Sequence, residues 1–162
     1  MLLYIIRHAD AYEHGDPRWP DDSQRPLEDR GAERFANAVR LLAERDLVPD
    51  VVAASPYLRC LQTAEIVARF TEKRPLVIET AALRPASDLE AMIAWSSQHD
   101  ARAIAWVGHA PDVNRMAAIL IGDSGANLRF AKGAIAAIRF RGSVEKGEGE
   151  LCWLATAKLL GV

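Results

Sequence analysis

The chain has 162 residues, of which 50% are hydrophobic and 26% are charged, a balance typical of a folded globular protein and unlike that of a disordered one. Its 20 lysines and arginines against 22 acidic residues give a formal net charge of −2, which excludes nucleic-acid binding driven by bulk positive charge. A chain of this length predicts one domain, residues 1–162.

The cysteines and the N-terminal segment indicate the cellular compartment in which the protein is expected. Cys60 and Cys152 each lie in an apolar stretch without a paired spacing, which predicts buried, unreactive thiols in a reducing environment. The apolar N-terminal run ends at Arg7, so it is too short to span a membrane, and it lacks the features of a signal peptide. We expect a cytoplasmic protein with no membrane partner.

Short apolar runs alternate with amphipathic segments along the chain. Continuous apolar runs are typical of strands that are covered on both faces of a sheet. The predicted strands are residues 2–6, 51–54, 76–78, 103–107, 134–138 and 151–154.

Four amphipathic segments between these runs are predicted helices. Apolar stripes mark the first over residues 32–42 and the fourth over residues 113–121. Ser55-Pro56 predicts the start of the second helix, because serine is a good N-cap and proline suits the first helical position. Ser87 and Glu90 have the spacing of a capping box at the start of the third.

The alternation of strands and helices predicts a three-layer α/β sandwich with a mostly parallel central sheet flanked by helices. No helix separates the last two strands, so they are expected to form an antiparallel C-terminal hairpin with its turn over residues 142–149. Residues 14–26, rich in proline and aspartate, are long for a connector, and such loops near a site are often functional or mobile.

Polar side chains follow three of the predicted strands, at the edge where α/β sheets bind ligands. Arg7 and His8 follow the first strand, Ser55 and Arg59 follow the second, and His109 follows the fourth. Two arginines and two histidines are thus expected to converge on one edge of the sheet.

Each of these residues has a plainer interpretation when taken alone. A histidine at a strand end is usually a structural hydrogen-bonding residue, and an arginine in a first helical turn is usually a solvated surface residue. A bound anion would offset the unfavourable position of Arg59 at a helix N-terminus. Metal binding by His8 and His109 is disfavoured, because the neighbouring arginines would repel a cation.

The combination suits phosphoryl transfer. Two guanidinium groups and one imidazole can neutralise a phosphoryl group in the transition state, and a second imidazole can act as nucleophile because neutral imidazole is populated near pH 7.

Three motifs make the chain resemble the histidine phosphatase superfamily, the phosphoglycerate-mutase-like group. Tyr-Ile-Ile-Arg-His-Ala-Asp-Ala around His8 resembles its Arg-His-Gly signature, with Ala9 in place of glycine. Ser-Pro-Tyr-Leu-Arg-Cys-Leu-Gln-Thr-Ala from Ser55 onward matches its second motif, and Gly108-His109 matches its second histidine. Any one of these motifs alone would be weak, but the three together are specific.

Within the superfamily the chain is most similar to the SixA-type phosphohistidine phosphatases, because of Arg25-Pro26-Leu27, the form of the second motif, and its small size. The resemblance implies a phosphoglycerate-mutase-like fold. It also implies a metal-independent phosphatase without a cofactor, in which His8 is phosphorylated while Arg7, Arg59 and His109 bind the phosphoryl group.

The chain departs from the superfamily pattern at the general acid. Most ester-cleaving relatives have a glutamate shortly after the third strand, where this chain reads Leu83-Arg84-Pro85. Other carboxylates within sequence reach are interpreted as solvated loop or capping residues: Asp10, Asp16, Asp21, Asp22 and Asp88. An alkoxide leaving group needs a proton more than imidazole does, so we predict a preference for phosphohistidine.

The expected partner is a phosphorylated protein of signal transduction, either a histidine phosphotransfer domain or a phosphocarrier. Two other hypotheses remain open. The chain could be a small-molecule or broad-range phosphomonoesterase, or a non-catalytic module that binds phosphate groups.

Overall fold

Six short strands form one mixed sheet in a computed structural model that describes residues 1–162. In chain order the strands are β1 (Leu2–Arg7), β2 (Val51–Ala54), β3 (Leu76–Glu79), β4 (Ala103–Gly108), β5 (Ile135–Arg139) and β6 (Glu150–Ala155). Their order across the sheet is β3-β2-β4-β1-β5-β6. The strands β3, β2, β4 and β1 are parallel to one another, whereas β5 is antiparallel to both β1 and β6. The predicted mostly parallel sheet and antiparallel C-terminal hairpin are confirmed.

Five helices accompany the sheet: α1 (Asp29–Ala43), α2 (Leu58–Phe70), α3 (Leu89–Ser97), α4 (Asp112–Leu120) and α5 (Ala157–Leu160). Tyr4 and Ile6 of β1 belong to a core with α1 and α2, while Leu3 and Ile5 belong to a second core with α3 and α4. Successive side chains of a strand point to opposite faces, so β1 is buried on both sides. This is why its sequence is continuously apolar. None of the helices combines the length and the apolar character needed to cross a membrane.

The predicted start of the second helix is wrong by two residues. Helix α2 begins at Leu58, and its N-cap Tyr57 makes no side-chain capping hydrogen bond. The N–H of Ser55 instead donates to the carbonyl oxygen of Val107 at 3.0 Å, so Ser55 is still held by the sheet. Its hydroxyl lies 2.9 Å from Nε2 of His109, after the neighbouring strand end, and 3.4 Å from the main-chain nitrogen of Tyr57.

The predicted capping box at the third helix is also wrong. Asp88 is the N-cap of α3, and its carboxylate accepts a hydrogen bond from the N–H of Ala91 at 3.0 Å. The hydroxyl of Ser87 donates to the carbonyl oxygen of Arg84 instead. Aspartate one residue later has the same capping ability as serine, and tertiary contacts decide between them.

The two cysteines differ in exposure. Cys60, in the first turn of α2, is fully buried as expected, but Cys152 is exposed, so the prediction of a buried thiol is wrong there. Cys152 lies in β6, an edge strand whose residues alternate between exposed and partly buried positions. Its apolar neighbours Leu151 and Trp153 are partly buried and pack against the two cores.

Candidate active site

Three adjacent strands bring the four predicted residues to one edge of the sheet. Arg7 is the last residue of β1 and pairs with Gly108, the last residue of β4, so His8 and His109 follow neighbouring strand ends. The ring centroids of these two histidines are 5.5 Å apart. Arg59 comes from the first turn of α2, after β2 on the other side of β4. The convergence expected from the topology is present.

His8 is held with one ring nitrogen free. Its side chain lies at 7% exposure, and Nδ1 is 2.8 Å from the carbonyl oxygen of Ala9. A carbonyl only accepts hydrogen bonds, so Nδ1 carries the hydrogen and Nε2 of the neutral ring keeps its lone pair. Burial is the main cause that lowers the pKa of His8, to about 3, and the charge of Arg59 acts in the same direction. His8 is therefore a neutral imidazole at physiological pH.

Thr63 fastens the segment after His8 to helix α2. The N–H of Ala9 donates to Oγ1 of Thr63 at 3.1 Å, and Oγ1 in turn donates to the carbonyl oxygen of Arg59 at 2.6 Å. One hydroxyl thus joins the segment that carries His8 to the turn that carries Arg59. This double role explains why a threonine four residues after Arg59 belongs to the motif.

The two arginines are partly satisfied within the protein. Nη1 of Arg7 donates to the carbonyl oxygen of Phe130 at 2.8 Å. Arg59 donates from Nη1 to the carbonyl oxygen of Asp22 at 2.8 Å, and its Nη2 is 3.0 Å from the Asp22 carboxylate. The Nε atoms of both arginines are buried and have no hydrogen-bond partner. Unpaired buried donors are costly, and an anion between the guanidinium groups would satisfy them.

His109 uses both ring nitrogens inside the protein. Nη2 of Arg59 lies 3.3 Å from Nδ1, which must accept because a guanidinium only donates. Nε2 therefore carries the hydrogen and donates to Oγ of Ser55 at 2.9 Å. Burial, with the charge of Arg59, lowers the pKa of His109 to about 4. For Nδ1 to donate to a bound oxygen, the ring has to gain a proton.

Cys60 is a buried neighbour of His109. Its Sγ lies 3.5 Å from Nε2 of His109. Burial raises the pKa of the Cys60 thiol to about 12, so it remains protonated and is a packing group rather than a nucleophile.

Asp22 and Arg25 complete the site from the loop over residues 14–26. The Asp22 carboxylate accepts from Nε of Arg25 at 2.8 Å and from Nδ1 of His14 at 2.9 Å, in addition to its contact with Arg59. Burial opposes ionisation, but hydrogen bonds from His14 and Arg25 and the charge of Arg59 hold the pKa of Asp22 far below its usual range. Asp22 is thus a permanent carboxylate in contact with a phosphate-binding candidate.

Sequence reasoning missed the importance of this pair of residues. Asp22 was interpreted as a solvated loop or capping residue, and Arg25 entered only as part of a resemblance. Arg25 is only 8% exposed. A buried arginine needs a carboxylate partner. The position of Arg25, three residues after Asp22 and directly before Pro26-Leu27, was the feature of the sequence that could have indicated this pair.

The other four carboxylates named from the sequence are capping residues or lie in partly exposed ion pairs. Asp21 caps the short 3₁₀ turn Asp22–Gln24, and Asp88 caps α3. Asp16 pairs with Arg18, while Asp10 lies between two basic side chains, those of Arg34 and Lys132.

The arrangement favours an anion. It combines three guanidinium groups, two neutral imidazoles and one carboxylate that is already paired. No group of three or more histidine, cysteine, aspartate or glutamate side chains is placed to hold a metal ion. Guanidinium groups beside neutral imidazoles are suited to binding an oxyanion such as a phosphoryl group.

Comparison with known proteins gives a consistent family. The model of the histidine phosphatase superfamily (branch 1) matches residues 3–130. An uncharacterized protein of Picosynechococcus sp. is 34% identical over 143 residues, which are 86% of this chain and 85% of that protein. The structure of the protein histidine phosphatase SixA complexed with tungstate is 25% identical, with a TM-score of 0.82 over 99% of both chains. The α-ribazole phosphatase from Shigella flexneri has the same fold, with 20% identity and a TM-score of 0.73 over 97% of both chains.

Proposed function

Because the chain belongs to the histidine phosphatase superfamily and is therefore a phosphatase, we propose that His8 is its nucleophile and that its substrate is phosphohistidine on a partner protein. The observation that carries the proposal is the state of His8. Its Nδ1 is tied to the carbonyl oxygen of Ala9, its ring is neutral, and two arginines lie beside it.

In the proposed first step, the Nε2 lone pair of His8 attacks phosphorus as the bond from phosphorus to the leaving group breaks. A water molecule then attacks the phosphorylated His8, releases inorganic phosphate and restores the neutral ring. Because His8 is already neutral, no base has to remove a proton before the attack.

Arg7 and Arg59 would stabilise the charge on the transferring oxygens. Their unpaired Nε atoms are donors that the free protein leaves unused, so they can bind the phosphoryl group without first losing another partner. The dianionic phosphoryl group would also raise the proton affinity of His109. Protonation at Nδ1 would turn His109 from an acceptor from Arg59 into a donor to a phosphoryl oxygen.

The proposed substrate class depends on the leaving group. The segment Leu83-Arg84-Pro85 carries no carboxylate, and Asp22, the carboxylate in contact with Arg59, is ionised and paired. A site without a proton donor loses roughly 10²–10⁴ in rate on an alkoxide leaving group. The imidazole of a protonated phosphohistidine leaves with far less help, so the site favours that substrate.

The test is phosphate release from three substrates: a phosphohistidine-carrying protein, p-nitrophenyl phosphate and glycerol phosphate. Wild type and His8→Ala are compared, with His99→Ala as the matched control, because His99 contacts only the end of α3. We expect fast release from phosphohistidine, slow release from glycerol phosphate, and no release by His8→Ala. Comparable release from glycerol phosphate would favour a phosphomonoesterase, and no release from any substrate would favour a binding module.

A further inference from the structure

A group of exposed cations borders the active site and is not used in the proposed reaction. We define the cationic band as the side chains that line two adjoining cavities of about 350 Å³ each: Arg34, Arg115, Arg129, Lys132 and Lys158. Arg129 lines both cavities. The only acidic residue in either lining is Asp10. Five positive charges against one negative charge stand out in a chain whose net charge is −2.

Most of the charge in this band is uncompensated. Arg34 and Lys132 share Asp10, at 3.8 and 3.5 Å. Arg115, Arg129 and Lys158 are exposed and take part in none of the ion pairs of the structure. Exposed cations without partners create a local positive potential that can steer an acidic ligand.

The band adjoins the reacting groups. One cavity includes Asp10, two residues after His8, and the other includes Pro111, two residues after His109. The residue between Arg129 and Ala131 is Phe130, whose carbonyl oxygen holds Arg7. A ligand whose phosphoryl group lies at His8 can therefore meet both cavities only if it extends well beyond that group.

We propose that the cationic band is a docking surface for an acidic protein surface surrounding the phosphohistidine. The inference rests on the proposed function, and it specifies in addition that the surface of the partner protein is negatively charged. Both cavities are open and lined mainly by polar and charged residues, which suits a protein surface better than an enclosed metabolite. The band ends beyond Arg34, where the next cavity mixes acidic with basic residues such as Glu28 and Arg30.

The test uses two synthetic peptides that carry phosphohistidine and differ only in their flanking residues, glutamates in one and serines in the other. Phosphoramidate serves as the substrate without flanking groups. The variant is Arg129→Glu/Lys158→Glu, since neither side chain makes a hydrogen bond or an ion pair. Arg115→Glu tests the second cavity independently.

The matched control is Arg102→Glu/Arg141→Glu, which makes the same change in charge. Both residues are exposed, and they adjoin the start of β4 and the end of β5, at the edge of the sheet opposite to the site. A general change in the field of the protein would affect control and variant alike, whereas docking would affect only the variant.

We expect wild type to hydrolyse the glutamate peptide with a kcat/KM about ten-fold above that of the serine peptide at low ionic strength, a difference that added salt reduces. The variant and Arg115→Glu should lose that preference, the control should keep it, and phosphoramidate hydrolysis should change less than about two-fold.

Equal hydrolysis of both peptides by wild type, or equal loss in the control, would overturn the docking surface while leaving the phosphatase intact. An equal loss on phosphoramidate, in variants whose thermal melting matches wild type, would mean that the band acts on the phosphoryl group itself. Failure of wild type on all three substrates would instead refute the proposed function.

Discussion

The active site is built from two regions that are held in different ways. In the region at the strand ends, His8 and His109 are less than 10% exposed, and the main chain of His8 is hydrogen-bonded to Gly108 and Gly133. Asp22 and Arg25 come from the loop over residues 14–26 and reach the site through ion pairs. The first region supplies reacting groups in fixed positions. The second supplies the Asp22 carboxylate, whose place beside Arg59 a negatively charged ligand can take.

The largest expected effect lies in the contact between the two regions. Arg59→Met removes a phosphoryl-binding donor and also leaves the Asp22 carboxylate beside the site with one counter-charge fewer. We expect kcat/KM for a phosphohistidine substrate to fall by about 10²–10³. Arg69→Met, in the last turn of the same helix and exposed, is the control and should retain wild-type activity. A decrease in kcat/KM of less than about ten-fold would mean that Arg59 does not bind the phosphoryl group during the reaction.

The exchange of anions at Arg59 can be tested by removing the loop's charge. Asp22→Asn keeps a hydrogen-bond acceptor but removes the negative charge that competes with phosphate for Arg59. We expect inorganic phosphate to inhibit this variant more strongly, with a Ki about three- to ten-fold lower. Asp16→Asn, in the same loop but paired with Arg18, should leave the Ki unchanged. Weaker inhibition of Asp22→Asn would mean that the loop mainly orients Arg59.

Acidification should also distinguish the two regions, because the buried histidines stay neutral. The ordinary pKa of 6.5 is lowered in the folded state to about 3 for His8, so only the unfolded chain takes up this proton between these values. The free energy of unfolding is therefore unaffected by this proton above pH 6.5, and it decreases as the pH falls from 6.5 toward 3. Each such histidine contributes a loss of about 1.4 kcal/mol per pH unit in the free energy of unfolding.

Urea unfolding at pH 6 and pH 5 measures this effect. We expect the difference in unfolding free energy between the two pH values to be smaller in His8→Ala than in wild type. Taking the difference removes the loss of packing that the substitution also causes. An identical pH dependence in both proteins would contradict a neutral His8.

Phosphate binding should move a proton within the region at the strand ends. In the protein without bound phosphate, His109 has a pKa of about 4 and accepts a hydrogen bond from Arg59. Donation to a bound oxygen therefore requires protonation of its ring. Inorganic phosphate near pH 6 is mostly the monoanion and releases a proton if it binds as the dianion, so wild type is compared with His109→Asn. We expect binding to take up more protons in wild type than in the variant, measured by calorimetry in two buffers of different ionisation enthalpy. Equal proton exchange in the two proteins would show that His109 does not donate.

The smallest expected effect concerns the thiols. Cys152 is exposed and should react with a thiol reagent in the native protein, whereas Cys60 should react only after unfolding. Titration should thus find one reactive thiol per native chain and two per unfolded chain. Two reactive thiols in the native state would mean that the packing around His109 opens readily.

The sequence predicted the region at the strand ends better than the loop region for a physical reason. Continuous apolar runs locate the strands, and the parallel topology then brings the residues after β1, β2 and β4 to one edge. Asp22 reaches Arg59 across 37 positions of sequence through an irregular loop, and no local periodicity records such a contact. The start of α2 and the cap of α3 were misjudged because Ser55 and Ser87 are engaged by tertiary partners, His109 and Asp112. The four-residue helix α5 is too short to produce an apolar period.

The reversed direction of β5 has a consequence for the rigidity of His8. The N–H of His8 donates to the carbonyl oxygen of Gly108, and the carbonyl oxygen of His8 accepts from the N–H of Gly133, just before β5. The main chain of His8 is thus bonded to a neighbouring segment on each side. An amide in that position exchanges its hydrogen for deuterium only when the sheet itself opens. The amide of His8 should therefore be among the slowest to exchange in the molecule, whereas exposed amides of the loop around Asp22 should exchange faster.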